Sequence, residues 1–162
     1  MNDQLYTRLY EIRDVAEENI EEYQNLFEKI YKSRDSTTFR KLCSVLIDES
    51  PFGNTSIIYD MWREYIEGYF YNDSDSIINI IKYIDEILLN SDAFVPNGKE
   101  FLQTSLIRIL NIEKYENYFL QSVNKLFYED KSKYEIIKNS LTDFKKEGFE
   151  NKVVDRILGK MQ

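Results

Sequence analysis

Proline occurs only twice in 162 residues, at Pro51 and Pro96, and elsewhere apolar side chains recur at intervals of three and four almost without interruption. That spacing puts them on one face of a helix, so the chain is expected to be all-α. Leu5, Leu9, Ile12, Ala16, Ile20, Tyr23, Phe27 and Ile30 draw one stripe along a first helix of about residues 3–32, where a break is allowed for. Asp35-Ser36-Thr37-Thr38 offers N-caps for a second helix with Phe39, Leu42, Cys43, Leu46 and Ile47 inward, stopped by Ser50-Pro51-Phe52-Gly53-Asn54. A third, about 55–71, buries Ile57, Ile58, Met61, Trp62, Tyr65, Ile66 and Tyr69, and Gly68 within it implies a close helix contact.

A fourth helix, about 75–89, follows a cap at Ser74 or Asp75. Its Ile77, Ile78, Ile81, Ile84, Ile87 and Leu88 are mostly β-branched, but Asn79, Lys82 and Asp85 between them favour helix over strand. After residues 92–98 come a fifth helix through Phe101, Leu102, Leu106, Ile109 and Leu110, a sixth with Tyr115, Phe119, Ser122 and Leu126, and a seventh with Tyr134, Ile137, Leu141 and Phe144. A short eighth carries Val153, Val154, Ile157, Leu158 and Met161 after Gly148. About eight antiparallel helices joined by short turns imply a compact bundle or a HEAT-like stack of helical hairpins. The turns at Pro51 and Pro96 lie 45 residues apart, the period of such hairpins. The length fits one domain over residues 1–162, which would bury roughly 70% of its unfolded surface.

Charge is distributed unevenly. Residues 1–81 hold 8 basic and 16 acidic side chains, residues 82–162 hold 13 of each, and the whole net charge of −8 therefore belongs to the first half. An acidic chain without basic clusters repels phosphates, so nucleic acid is not an expected partner. No apolar run approaches the roughly 18 residues of a membrane span, and the polar start Met1-Asn2-Asp3-Gln4 is unlike a signal peptide. Cys43 is the only cysteine, which excludes an internal disulfide and suits a reducing, cytoplasmic setting.

Histidine is absent, which removes the commonest general base and the commonest metal ligand. Glu64-x-x-Glu67 and Glu113-x-x-Glu116 resemble half of a di-iron carboxylate site, but those sites need Glu-x-x-His. Asp73-Ser74-Asp75 lacks the glycine and distal glutamate of a calcium loop and reads as capping. Cys43, flanked by Leu42 and Val45, reads as a buried inert thiol, and no glycine-rich phosphate loop or nucleophile elbow is present. Neither an enzyme nor a cofactor is expected.

The features left are acidic. Glu17, Glu18, Glu21 and Glu22 fall on neighbouring helical turns, in a segment from Glu11 to Glu22 with six acids and one base, Arg13. Like charges at i,i+4 cost a helix a few tenths of a kcal/mol, so binding would account for their presence, against the plainer alternative of a solvated face. Asp60, Glu64 and Glu67 share one face of the third helix, with Asp48, Glu49, Asp73 and Asp75 in the turns at its ends. If the first three helices pack side by side, these groups merge into one negative field that attracts a basic protein. Trp62 reads as core, or as an aromatic at the edge of that surface.

Tyr59-Asp60-Met61-Trp62, continuing to Tyr65-Ile66-Glu67, and the later Arg108-Ile109-Leu110-Asn111 resemble the bacterial polymorphic-toxin immunity proteins of the family numbered thirty. Asp48-Glu49-Ser50 stands roughly where that family places a run of acids and a hydroxyl residue, and the similarity spans about residues 38–145. The resemblance implies an intracellular antidote that binds and inactivates a cognate toxin domain, with Asp48, Glu49, Asp60 and Glu67 as the positions carried over. Pro51 interrupts the acidic run and the first helix has no counterpart. A nuclease toxin would fit the sign of the charge. The alternative reading is a helical adaptor or regulatory module that recognises another cellular protein.

Overall fold

The structure, a computed structural model, describes residues 2–69, 79–147 and 151–162, with side chains from residue 3 to 65 in the first span. All regular structure among the described residues is helical: α1 (Asn2–Glu11), α2 (Ile20–Ser33), α3 (Thr38–Ser44), α4 (Thr55–Tyr69), α5 (Ile80–Leu89), α6 (Ser91–Phe94), α7 (Lys99–Leu110), α8 (Glu116–Glu129), α9 (Lys131–Lys146) and α10 (Lys152–Leu158). Short 3-10 turns at Glu17–Asn19 and Glu113–Tyr115 precede α2 and α8. Among the described residues ten helices stand where about eight are expected, for two local reasons. The first stripe divides into α1 and α2, and the 92–98 connection contributes the single-turn α6. The expected caps Ser74 and Asp75, the side chains of Ile66, Glu67, Gly68 and Tyr69, Asp73, Ile77, Ile78 and Gly148 all lie outside the described residues.

Two compact units divide the contacts, residues 1–78 with 93–99 and residues 79–92 with 100–162. In the first unit, α2 packs on α1, α3 and α4. Tyr23, Phe27 and Ile30 form the inward stripe of α2, and Leu9, Ile12, Leu42, Ile58, Met61 and Trp62 meet it as buried side chains. Each such side chain contributes about 1.5–3 kcal/mol by leaving water. Trp62 is core: its indole lies 6.0 Å from the Phe39 ring and 5.5 Å, edge-on, from Phe94. Cys43 is fully buried. Helix α3 stops at Ser44, so Val45 and Leu46 enter the core from an irregular turn.

The break after α1 has no proline or glycine to mark it. Val15 turns the chain with φ +31°, a rare conformation for a β-branched residue, and is itself buried. Asn54 Nδ2 donates to the Val15 carbonyl at 2.7 Å, which anchors this bend to the turn before α4.

In the second unit, α8 packs on α5 and α9, and α9 on α10. The observed cap of α5 is Asn79, whose side chain accepts from Lys82 N–H at 3.1 Å. Asp130 caps α9 and Asn151 caps α10 in the same way. Phe119, Val123, Tyr134, Ile137, Leu141, Val154 and Ile157 fill the centre. Buried Gln103 donates to the Ser140 carbonyl at 3.1 Å. Arg156 makes a two-point contact to Glu116, 2.7 Å for the Nε donor, which ties α10 to the start of α8 and holds the Glu116 carboxyl below its ordinary range.

Candidate partner-binding surface

The acids of the first unit lie on three pieces of backbone. Glu17 and Glu18 belong to the 3-10 turn and Glu21 and Glu22 to the first turn of α2, all four exposed. They therefore occupy a helix N-terminus, where the macrodipole favours negative charge, and the i,i+4 penalty expected within one long helix is offset. Arg8 clamps Glu22 through Nε and Nη2 at 2.7 and 2.9 Å, and that hydrogen bonding holds the Glu22 carboxyl below its ordinary range. Glu22 is thus committed to α1 and drops out of the free set. No ion pair reaches Glu17, Glu18 or Glu21 among the described residues.

The turn between α3 and α4 meets this segment. Ser50 Oγ donates to the Asp14 carbonyl at 2.8 Å, and Asn54 holds the Val15 carbonyl one residue on. The acids of the two loops, Asp14, Glu17 and Glu18 on one and Asp48 and Glu49 on the other, are therefore brought to the same end of the unit. Asp48 is half-buried, and its backbone N–H donates to the Asn97 carbonyl at 2.6 Å; Glu49 is exposed. Asp60 and Glu64 stand one turn apart on the exposed side of α4, a separate element from the two loops. Glu67 falls among side chains outside the described set.

Two residues at this end carry no charge and no obvious sequence signal. Phe52, at the tip of the 50–53 turn, is 59% exposed, and Tyr10, at the end of α1, is 42% exposed. In the sequence Phe52 reads only as part of a helix stop; an aromatic between proline and glycine is the one hint it gives. Two other first-half acids pair within that half, Asp3 with Lys41 at 2.9 Å and Glu28 with Lys32 at 2.5 Å.

The second unit holds an open groove of about 500 Å³ between α5 and α8, lined by Asp85, Leu88, Leu89, Tyr118, Ser122 and Lys125 among others. Tyr118 donates to Asp85 at 2.7 Å, which raises the phenol above its ordinary pKa. Among the described residues no group of three His, Cys, Asp or Glu side chains is placed to hold a metal ion, and no helix is long and apolar enough to cross a membrane.

No protein-family model matches this chain, and it has no match among curated proteins by sequence or among solved structures by fold.

Proposed function

We propose that this chain is an immunity protein: it binds a cognate bacterial toxin domain of a polymorphic toxin system in the cytoplasm and neutralises it by covering it, without performing chemistry itself. The observation that carries the reading is the pairing of the two acidic loops by Ser50 and Asn54, which gathers Glu17, Glu18, Asp48 and Glu49 at one end of the first unit. Such a cluster steers a basic protein surface into contact and raises association rates by roughly 10–10³-fold at low salt. The resemblance of residues 59–67 and 108–111 to the immunity family numbered thirty points the same way, and the helices in this reading stack as antiparallel hairpins. A nuclease toxin fits, because enzymes that grip phosphates carry basic clefts. The complex would bury about 1,200–2,000 Å².

Co-expression with the C-terminal domain encoded by the adjacent reading frame, scored for cell survival and co-purification, tests this directly. Rescue with a stable complex is expected, and the triple variant Glu17→Lys, Glu18→Lys, Glu49→Lys should associate more slowly with a flatter salt dependence. Absence of both rescue and binding refutes the reading. The groove between α5 and α8, with Leu89 56% exposed beside it, favours a second reading, an adaptor that recognises a partner's peptide. That reading gains if variants of Leu89 abolish partner capture while the triple lysine variant does not.

A further inference from the structure

We propose that Phe52 is the apolar anchor of the acidic surface, entering a hollow in a positively charged protein face while Glu17, Glu18 and Glu49 meet the cations around it. The inference rests on the binding function proposed above and adds the chemistry of the partner's contact point.

The exposure of Phe52 is built into the fold. The turn is closed by Gly53 N–H donating to the Ser50 carbonyl at 3.0 Å, with Pro51 at its second position and Gly53 at φ +75°. Ser50 is fixed three more times: its Oγ donates to the Asp14 carbonyl at 2.8 Å, its N–H donates to Thr55 Oγ1 at 3.1 Å, and its Oγ accepts from Phe52 N–H at 3.3 Å. Asn54, on the other side of the tip, is held to Val15 at 2.7 Å. Phe52 is therefore presented by a turn pinned at both shoulders, so little conformational freedom is lost when it is buried by a partner.

The surroundings select what that partner is. Of the five large apolar side chains that stand exposed among the described residues, Phe52 and Tyr10 belong to the first unit, and Ile81, Leu89 and Tyr128 to the second. Arg13, the one base between Glu11 and Glu22, has its guanidinium over the Tyr10 ring at 3.8 Å and forms no ion pair among the described residues. Glu17, Glu18 and Glu49 form no ion pair among the described residues and keep their charge for an external cation. An aromatic on a turn bonded to the Asp14–Val15 segment, at the same end of the unit as these acids, is disfavoured on anionic lipid and on nucleic-acid phosphate and suits an interface with an apolar contact beside charged ones. Its complement is a basic protein face with an apolar hollow.

The probe is the purified C-terminal domain encoded by the adjacent reading frame, titrated against the full chain by calorimetry and by surface-binding kinetics. Phe52→Ala should weaken the dissociation constant tenfold or more, mainly through faster dissociation, with the salt dependence of association unchanged. Tyr128→Ala, which removes a 76% exposed aromatic from the second unit, should leave affinity unaltered. Far-ultraviolet circular dichroism, which reports the helices of both units, confirms that each variant is folded. A loss smaller than tenfold in Phe52→Ala, with wild-type binding intact and sensitive to the triple lysine variant, overturns the anchor and leaves the proposed function standing. Failure of the wild-type chain to bind the probe overturns both.

Discussion

Replacing Gly98 with alanine probes the tightest backbone approach at any of the described glycines. A Cβ at residue 98 would lie 2.9 Å from Leu46 Cβ, 3.1 Å from the Phe94 carbonyl oxygen and 3.2 Å from the Leu46 carbonyl oxygen. All three neighbours are backbone atoms or the first atom of a side chain, so no change of rotamer makes room. Relief requires the 94–99 segment to move away from the 45–48 turn. Two short hydrogen bonds oppose that movement, Gly98 N–H to the Phe94 carbonyl and Asp48 N–H to the Asn97 carbonyl, both at 2.6 Å.

Forcing one methyl into a packed site costs about 1–3 kcal/mol, and weakening one of those bonds adds about 1 kcal/mol. Gly98→Ala is therefore expected to destabilise the first unit by about 2–4 kcal/mol. Trp62 is the chain's single tryptophan and packs against Phe94, so urea unfolding followed by its fluorescence reports on this unit. Gly53→Ala is the control: nothing lies within 4 Å of its added Cβ, and only its φ of +75° resists substitution, at about 1–2 kcal/mol. A Gly98→Ala variant within about 0.5 kcal/mol of wild type would refute the close-approach reasoning.

The Tyr23 ring is 1% exposed and its hydroxyl has no hydrogen-bond partner among the described residues, so Tyr23→Phe should stabilise the protein by about 1 kcal/mol. Burial raises the Tyr23 phenol above 10.0 in the folded state, so stability present below pH 10 is lost as pH rises past the unfolded value; denaturation at pH 8 and 11 should show a shallower alkaline loss in Tyr23→Phe. Glu116 is held below its ordinary pKa by Arg156, a contribution present above the unfolded carboxylate value and lost as pH falls through the folded one. Arg156→Ala should lower the urea midpoint at pH 7 and leave it unchanged once Glu116 is protonated in both states. Arg34 ends α2 at φ +46° with an exposed side chain, and Arg34→Gly is expected to raise stability by about 0.5–1 kcal/mol in the same denaturation assay. Asn54→Ala removes one of the two bonds that join the acidic loops and should cost about 1 kcal/mol. Sodium chloride should leave that cost unchanged or raise it, because screening removes the relief that parting like-charged loops gives at low salt, and a cost that falls with salt would contradict the like-charge arrangement.

The periodicity of α2, α4, α7 and α9 was readable because burying one face is a local property of spacing: Tyr23, Phe27 and Ile30, or Tyr134, Ile137 and Leu141, point inward as the three-four rule requires. The break between α1 and α2 was not readable in position. Its cause is Val15 at positive φ, stabilised by Asn54, a partner 39 residues away in sequence. Glu22 was indistinguishable from Glu21 by residue type and spacing. Only folding brings Arg8 to one of them and leaves the other exposed. Phe52 was hidden for the opposite reason: apolar side chains are read as core by default, and its exposure depends on a turn held by contacts to Asp14 and Val15.

These particulars explain how the first unit keeps a dense patch of like charge. Ion pairs between the two loops would stabilise their meeting but would also consume the carboxylates that the proposed binding function requires. The contacts that join them are instead uncharged donors, the Ser50 hydroxyl and the Asn54 amide, to the backbone carbonyls of Asp14 and Val15. Glu22 shows the contrasting arrangement, since its clamp to Arg8 fastens α1 to α2 at the cost of its availability to a partner. Within one short stretch, Glu22 is tied into the fold while Glu17, Glu18 and Glu21 form no ion pair among the described residues, the difference being whether an arginine reaches them. The loops that carry Glu17, Glu18 and Glu49 meet through neutral hydrogen bonds, so their joining uses none of these carboxylates.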